Sequence, residues 1–491
     1  MSLIVKNLSS FLKLLLSPFL FIYKKVFSLK FLHRVDAALQ NPDIRKKIFI
    51  TMGIVIIFRV LAAIPLPGID PEVYQAALGS STGSAFSSLW TLATGGNLDS
   101  PSLVVIGLGA YINSSIMIQL LTTVVPKLEE LSKEGESGRK VINQITRFLT
   151  LPLSLLQGFV IYTIIKNNTQ LIPGSGFSIS ELVTSMNSQE VAIMILSIAA
   201  GSVFLMWLSE LITENGLGNG SSVIIMVGIL ATVPGLFTAD FTNTFQFIRN
   251  GITSGDFSVF YSDSALFLYL IILGLVAMVV SIVFVNEAIR RIPIQYARRV
   301  RGVDATQSSY LPFKLTQAGV MPIIFASSVL TFPTIIAQFI TGTADPGSRV
   351  YEIAINITNL EVFNFRSYQY LILYFVLIFF FAFFYTFVVM KPEDTSENLQ
   401  KSGGFIPGIR PGNATTKFIT STLVRLTFVG AIFLALLAVI PSLVRLTDQG
   451  ADLLIFTGIG GTSLLIIVSV ILDTLRQAKS FTLTRSYEMY K

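Results

Sequence analysis

The side chains best equipped for chemistry in this sequence are arginines. The string RRIPIQYARRVRG carries Arg290, Arg291, Arg298, Arg299 and Arg301, and KSGGFIPGIRPG carries Lys401 and Arg410. A planar guanidinium forks onto phosphate or carboxylate, so the chemistry on offer is recognition of anions rather than bond making. Arg410 stands between prolines and glycines in a loop that is long and unusually specific for a mere connector. Residue sets that would support catalysis are not found. The chain has no cysteine, which excludes disulfides, iron–sulfur clusters and thiol chemistry, and its single histidine, His33, sits in a basic segment and reads as a surface residue. No phosphate-binding loop ending in Gly-Lys-Ser/Thr, no paired His/Glu metal spacing and no nucleophile–base set occurs. GLGNG at 216–220 and GIGGT at 458–462 follow no strand pattern, so they read as loops or close helix contacts.

The elements that must position these residues are membrane helices. Of the 491 residues, 52% are apolar and only 13% charged, with 39 phenylalanines. A soluble protein would carry about 25% charge, so lipid must cover much of the surface. A crossing helix needs about 20 mostly apolar residues. Such segments lie near 48–66, 102–125, 147–166, 189–212, 220–238, 265–287, 315–340, 368–390, 418–442 and 453–473, which predicts ten spans. With the N-terminus inside, the inside segments are 1–47, 126–147, 213–219, 288–314, 391–417 and the tail after 474. They hold nearly all the Lys and Arg, whereas the outside loops contain only Lys166, Arg249, Arg349, Arg366 and Arg445. That asymmetry predicts two cytoplasmic termini and accounts for most of the net charge of +7.

Two segments fit no simple span. Residues 8–32 are apolar but interrupted by Lys13, Pro18, Lys24, Lys25 and Lys30, which predicts an interfacial amphipathic helix rather than a signal peptide. Residues 83–96 (GSAFSSLWTLATGG) are too short to cross and too polar for lipid. They read as an outer surface loop or as a helix folded back into a protein-lined cavity. A secondary transporter is the competing class for such a bundle. Transporters bury ionisable groups near mid-membrane, whereas Arg59, Glu210 and Arg425 lie toward span ends.

Seven strings interrupt the apolar pattern in a fixed order. They are FRVLAAIPLPGID at 58–70, GLGAYINSSIMIQLLT at 107–122, LSELITENGLGNGSS at 208–222, RRIPIQYARR at 290–299, SYLPFKLTQAGVMPIIFASS at 309–328, KPEDTSENLQKSGGFIPGIRPG at 391–412 and GGTSLLI at 460–466. Together they resemble the SecY family, the channel subunits of the general protein-secretion translocon, over about residues 45–490. The resemblance implies an all-α polytopic fold with ten transmembrane helices in two inverted, pseudo-symmetric halves around a central pore. Here the halves would be 48–238 and 265–475, preceded by a cytoplasmic or interfacial segment 1–47 and followed by a tail 476–491. It implies a passive, gated path for unfolded secretory polypeptides, which releases apolar segments and signal sequences sideways into lipid. The partners implied are SecE and SecG subunits, the SecA motor ATPase and the ribosome. No cofactor is expected, and driving energy comes from a partner. The implied location is the inner (plasma) membrane, with a plastid thylakoid as the alternative.

The same resemblance assigns residues. A pore ring of aliphatic side chains falls on Ile112, Ile116, Ile225, Ile324 and Ile466, with Ser221 at the sixth position, where the family pattern is broken. The segment 83–96 becomes a plug, with Ser84, Ala85, Phe86, Leu89 and Leu92 in it. A lateral gate between helices two and seven draws on Asn113, Ser114, Ser115 and Gln119 on one side and Gln317, Ser327 and Ser328 on the other. Hydrogen bonds across such a seam contribute about 0.6–2 kcal/mol each. Arg290, Arg291, Arg298, Arg299, Arg301, Lys401 and Arg410 become docking residues for SecA or the ribosome.

Overall fold

The computed structural model describes residues 42–68, 102–166, 187–231, 263–296, 309–344, 348–360, 367–445 and 461–488. The plug candidate 83–96, with Ser84, Ala85, Phe86, Leu89 and Leu92, lies outside the described residues, as do the segment 1–41 and Arg298, Arg299 and Arg301.

The first helix, α1 (Pro42–Ala63), opens on a proline that needs no helical partner and an aspartate that suits the positive helix end. It stops before Pro65 and Pro67, and Gly68 takes a positive φ of 86°. The Leu103 N–H donates to the Ile64 carbonyl at 3.0 Å, so residue 102 lies beside the end of α1. Tight buried turns through Val105, Ile106 and Leu108 then lead into α2 (Gly109–Val124). A short α3 (Pro126–Lys133) precedes α4 (Glu136–Lys166). On exposed α3, a hydrogen bond from Lys133 holds the Glu129 carboxyl below its usual range. The expected inside loop 126–147 is therefore largely helical. Polar residues in water can extend a helix past the lipid boundary, which an apolar-run count cannot detect. A capping box of Asn187 and Glu190 starts α5 (Ser188–Asn215), and α6 (Gly220–Ala231) follows after a glycine turn.

The described helices continue with α7 (Asp263–Glu287), α8 (Met321–Thr343), α9 (Arg349–Asn359), α10 (Tyr368–Met390), α11 (Pro392–Lys401), α12 (Asn413–Arg445) and α13 (Gly461–Glu488). By length and composition, α4, α5, α8, α10 and α12 can cross a membrane, which defines a multi-pass protein. Large apolar side chains such as Phe49, Ile56, Phe148, Phe284 and Ile372 are exposed, as lipid-facing helices require.

The expectation of an all-α fold is corrected by a three-stranded antiparallel sheet. Strands β1 (Ile289–Tyr296) and β2 (Ser309–Lys314) pair directly, and β3 (Gly404–Phe405) adds to the other edge of β1. Ile292 and Ile294 point inward by the two-residue strand period and meet Phe313, Leu399, Ile406, Ile419 and Leu423 in a small core. Among the described residues, α8 packs on α2 and α4, and α13 packs on α1.

Candidate functional site

A cavity of about 370 Å³ opens among α2, α4, α5, α6, α8 and α10. Its walls are polar: Asn143 and Arg147 from α4, Ser209, Glu210, Thr213 and Glu214 from α5, and Asn219, Ser221 and Ser222 at the start of α6. Ile112, Ile225 and Ile324 line it as well, one each from α2, α6 and α8. All three are nearly buried, the most exposed being Ile112 at 7%. Ile116, one turn along α2, and Ile466, on α13, lie in the same apolar cluster rather than on the cavity wall. All five isoleucines thus belong to one apolar cluster, and three of them reach the cavity. The helix period explains Ile112 and Ile116, which share a face at a spacing of four.

Ser221 also lines the cavity. Its hydroxyl donates to Asn219 Oδ1 at 2.7 Å, and the same oxygen accepts the Ser221 N–H at 3.1 Å. Asn219 is therefore the cap of α6 and ties Ser221 back to the helix end. Arg147 Nε donates to Glu210 Oε1 at 2.7 Å, bridging α4 and α5 on the cavity wall. Glu210 is thus already neutralised by Arg147 and is not an isolated intramembrane acid.

The gate candidates divide. Ser115 and Gln119 line the cavity, and the buried Gln119 Oε1 has no partner among the described residues. Asn113 is half-buried on α2, and Ser328 is buried on α8. The Ser114 hydroxyl donates to Ala110 O at 2.8 Å and the Ser327 hydroxyl to Ile324 O at 2.9 Å, each within its own helix. The expectation of hydrogen bonds across the seam fails for these two, because a serine in a helix finds its own carbonyl three or four residues back. Gln317 is also corrected: it precedes α8, its Oε1 accepts the Lys314 N–H at 3.0 Å, and its Nε2 meets Met390 Sδ at 3.4 Å. It fastens β2 to α10 rather than belonging to a gate helix.

The basic candidates lie around the sheet. Arg290 and Arg291 are exposed on β1, and the Arg291 guanidinium sits 5.0 Å from the Tyr310 ring centroid. Lys401 is exposed and paired with Glu397 at 2.7 Å. Arg410 is exposed in the loop after β3, while Ile406 is buried beneath it and the Thr415 hydroxyl donates to the Arg410 carbonyl at 2.9 Å. The sheet brings Arg290, Arg291 and the 404–412 loop together, although about 110 residues separate them in sequence. Sequence reasoning missed Tyr111, Asn143, Arg147, Phe325 and Tyr385 on the cavity wall. For Arg147 and Glu210 the available signal was two opposite charges at the ends of neighbouring apolar runs. For the aromatics no signal existed.

Solved structures share this architecture. A protein conducting channel superposes with a TM-score of 0.57 at 16% identity, covering 89% of this chain and 92% of that one. Sec61 in the canine ribosome-channel complex gives a TM-score of 0.54 at 16% identity, over 89% of this chain and 92% of that chain. The fold class is therefore that of the multi-pass protein-conducting channels. The SecY family model matches residues 102–475. The protein translocase subunit SecY of Corynebacterium glutamicum is 38% identical over 456 residues, covering 92% of this chain and 98% of the relative. That of Synechocystis is 38% identical over 455 residues, covering 91% and 94%. The chain belongs to the SecY family.

Proposed function

We propose that this chain is a gated protein-conducting channel, through which unfolded secretory polypeptides cross the membrane and from which transmembrane segments leave sideways into lipid. The observation that carries the reading is that Ile112, Ile225 and Ile324, from α2, α6 and α8, line one cavity together with polar side chains of α4, α5 and α6. Polar walls hydrate an arriving chain, while branched aliphatic side chains exclude water and ions yet yield to a polypeptide. The full reading has ten crossing helices in two inverted halves, with both termini and the sheet in the cytoplasm. Its membrane is the inner (plasma) membrane, or a thylakoid in a plastid. The constriction comprises Ile112, Ile116, Ile225, Ile324 and Ile466, with Ser221 beside it. The segment 83–96 is the plug. The lateral exit lies between α2 and α8, where Asn113, Ser115, Gln119, Ser327 and Ser328 sit.

The basic residues on and beside the sheet, with Arg298, Arg299 and Arg301, dock SecA or the ribosome, which supply the driving force, and SecE and SecG complete the complex. The paired state of Glu210 favours this reading over an ion-coupled transporter, since Arg147 already satisfies the carboxylate. The test is ion conductance in planar bilayers. Ile324→Asn and Ile466→Asn should each raise the resting conductance, because a polar side chain wets an apolar seal. Conductance equal to that of the parent protein would remove these residues from the constriction.

A further inference from the structure

The glycine turn GLGNG at 216–220 is gripped from both halves of the chain. The Leu217 N–H donates to Thr51 Oγ1 on α1 at 3.0 Å, and that hydroxyl in turn donates to the Lys47 carbonyl at 2.9 Å. The next amide, Gly218 N–H, donates to Gln477 Oε1 on α13. One turn further along both helices, Lys47 Nζ lies 4.4 Å from the Phe481 ring centroid. The turn has little room to move. A Cβ on Gly220 would sit 1.8 Å from the Ser209 carbonyl oxygen, and Gly218 has a φ of +91° with Thr474 Oγ1 3.0 Å from the place of a Cβ. Only glycine allows this approach.

The turn leads into α6 and is held by α13, and each of these two helices carries a constriction residue. On one side, Asn219 caps α6, which presents Ser221 and Ile225 to the cavity. On the other, Gln477 and Ile466 are separated by about three turns of α13, roughly 16 Å along the axis, so they share a face. We infer that Thr51 and Gln477 are positioning residues that clasp the turn at the α1–α13 seam, keep Ile225 and Ile466 in register, and so hold the constriction closed. At the α2–α8 seam Ser114 and Ser327 bond within their own helices rather than across it. The clasp therefore makes the α1–α13 seam a fixed one.

This inference rests on the channel reading, and its test separates the two. Thr51→Val is isosteric and loses only the hydroxyl, whereas Thr51→Ser keeps it. Gln477→Leu loses the acceptor, and Gln477→Glu keeps one. The full-length protein is measured in planar bilayers, with Ile324→Asn alongside. Thr51→Val and Gln477→Leu should each raise resting conductance several-fold, and their combination on the order of tenfold, the scale of two lost hydrogen bonds. Thr51→Ser and Gln477→Glu should stay near the parent value. A leak from Ile324→Asn with none from the combined variant overturns the clasp and leaves the channel reading standing. Equal leaks from Thr51→Val and Thr51→Ser also overturn it. Silence from every variant, Ile324→Asn included, removes Ile324 from the constriction and overturns the clasp with it.

Discussion

Arg410 combines a fixed backbone with an exposed side chain. Buried Ile406 and half-buried Ile409 anchor the loop on the sheet core, Thr415 bonds the Arg410 carbonyl, and Gly408 and Gly412 supply positive φ on either side. A guanidinium presented this way loses little freedom when it meets a carboxylate or phosphate, which is how a preorganised contact gains affinity. Arg410→Glu should therefore abolish secretion in a strain depleted of the parent protein, with insertion and folding of the variant unchanged. Normal secretion by the variant would remove Arg410 from docking. The ordered loop around Arg410 was legible from its proline–glycine setting. The role of Gln477 was not, because a glutamine near the end of an apolar run reads as solvated, and its partner, an amide about 260 residues away, leaves no local trace.

The helices were the most legible elements, since a lipid environment demands long apolar runs and satisfies backbone groups only within the helix. Their ends were less so: α4 begins at Glu136, well before its apolar run, where water rather than lipid surrounds it. The sheet escaped notice for a different reason. Pro293 and Pro312 and the exposed arginines disguise β1 and β2, although Ile292 and Ile294, and then Leu311 and Phe313, alternate with the period of two that marks strands. Phe313 is the largest buried side chain of that small core. Phe313→Ala should cost about 3–5 kcal/mol there. Amide hydrogen exchange should then accelerate across 289–296 and 309–314 and stay slow in α8. Equal acceleration in both would mean that sheet and bundle unfold as one unit rather than as a separate platform.

Across the whole molecule, the early and late helices meet in two unlike ways. The α1–α13 seam is joined through the glycine turn and its hydrogen bonds, and the seam of α8 with α2 and α4 through packing such as the edge-on contact of Phe159 with Phe339, 5.2 Å between centroids. A bundle fastened along one side and packed along the other can part without losing its fold, and the cavity is lined by α2, α4 and α8, the helices of the packed seam. The central claim is that a polypeptide passes through that constriction. The direct measurement places photo-crosslinking probes at Ile112, Ile324 and Ile466, with a stalled secretory chain engaged, and a matching set at lipid-exposed Ile56 and Ile372. The account predicts crosslinks from all three interior positions to the stalled chain and none from Ile56 or Ile372. Absence of interior crosslinks while the chain is demonstrably engaged would contradict it.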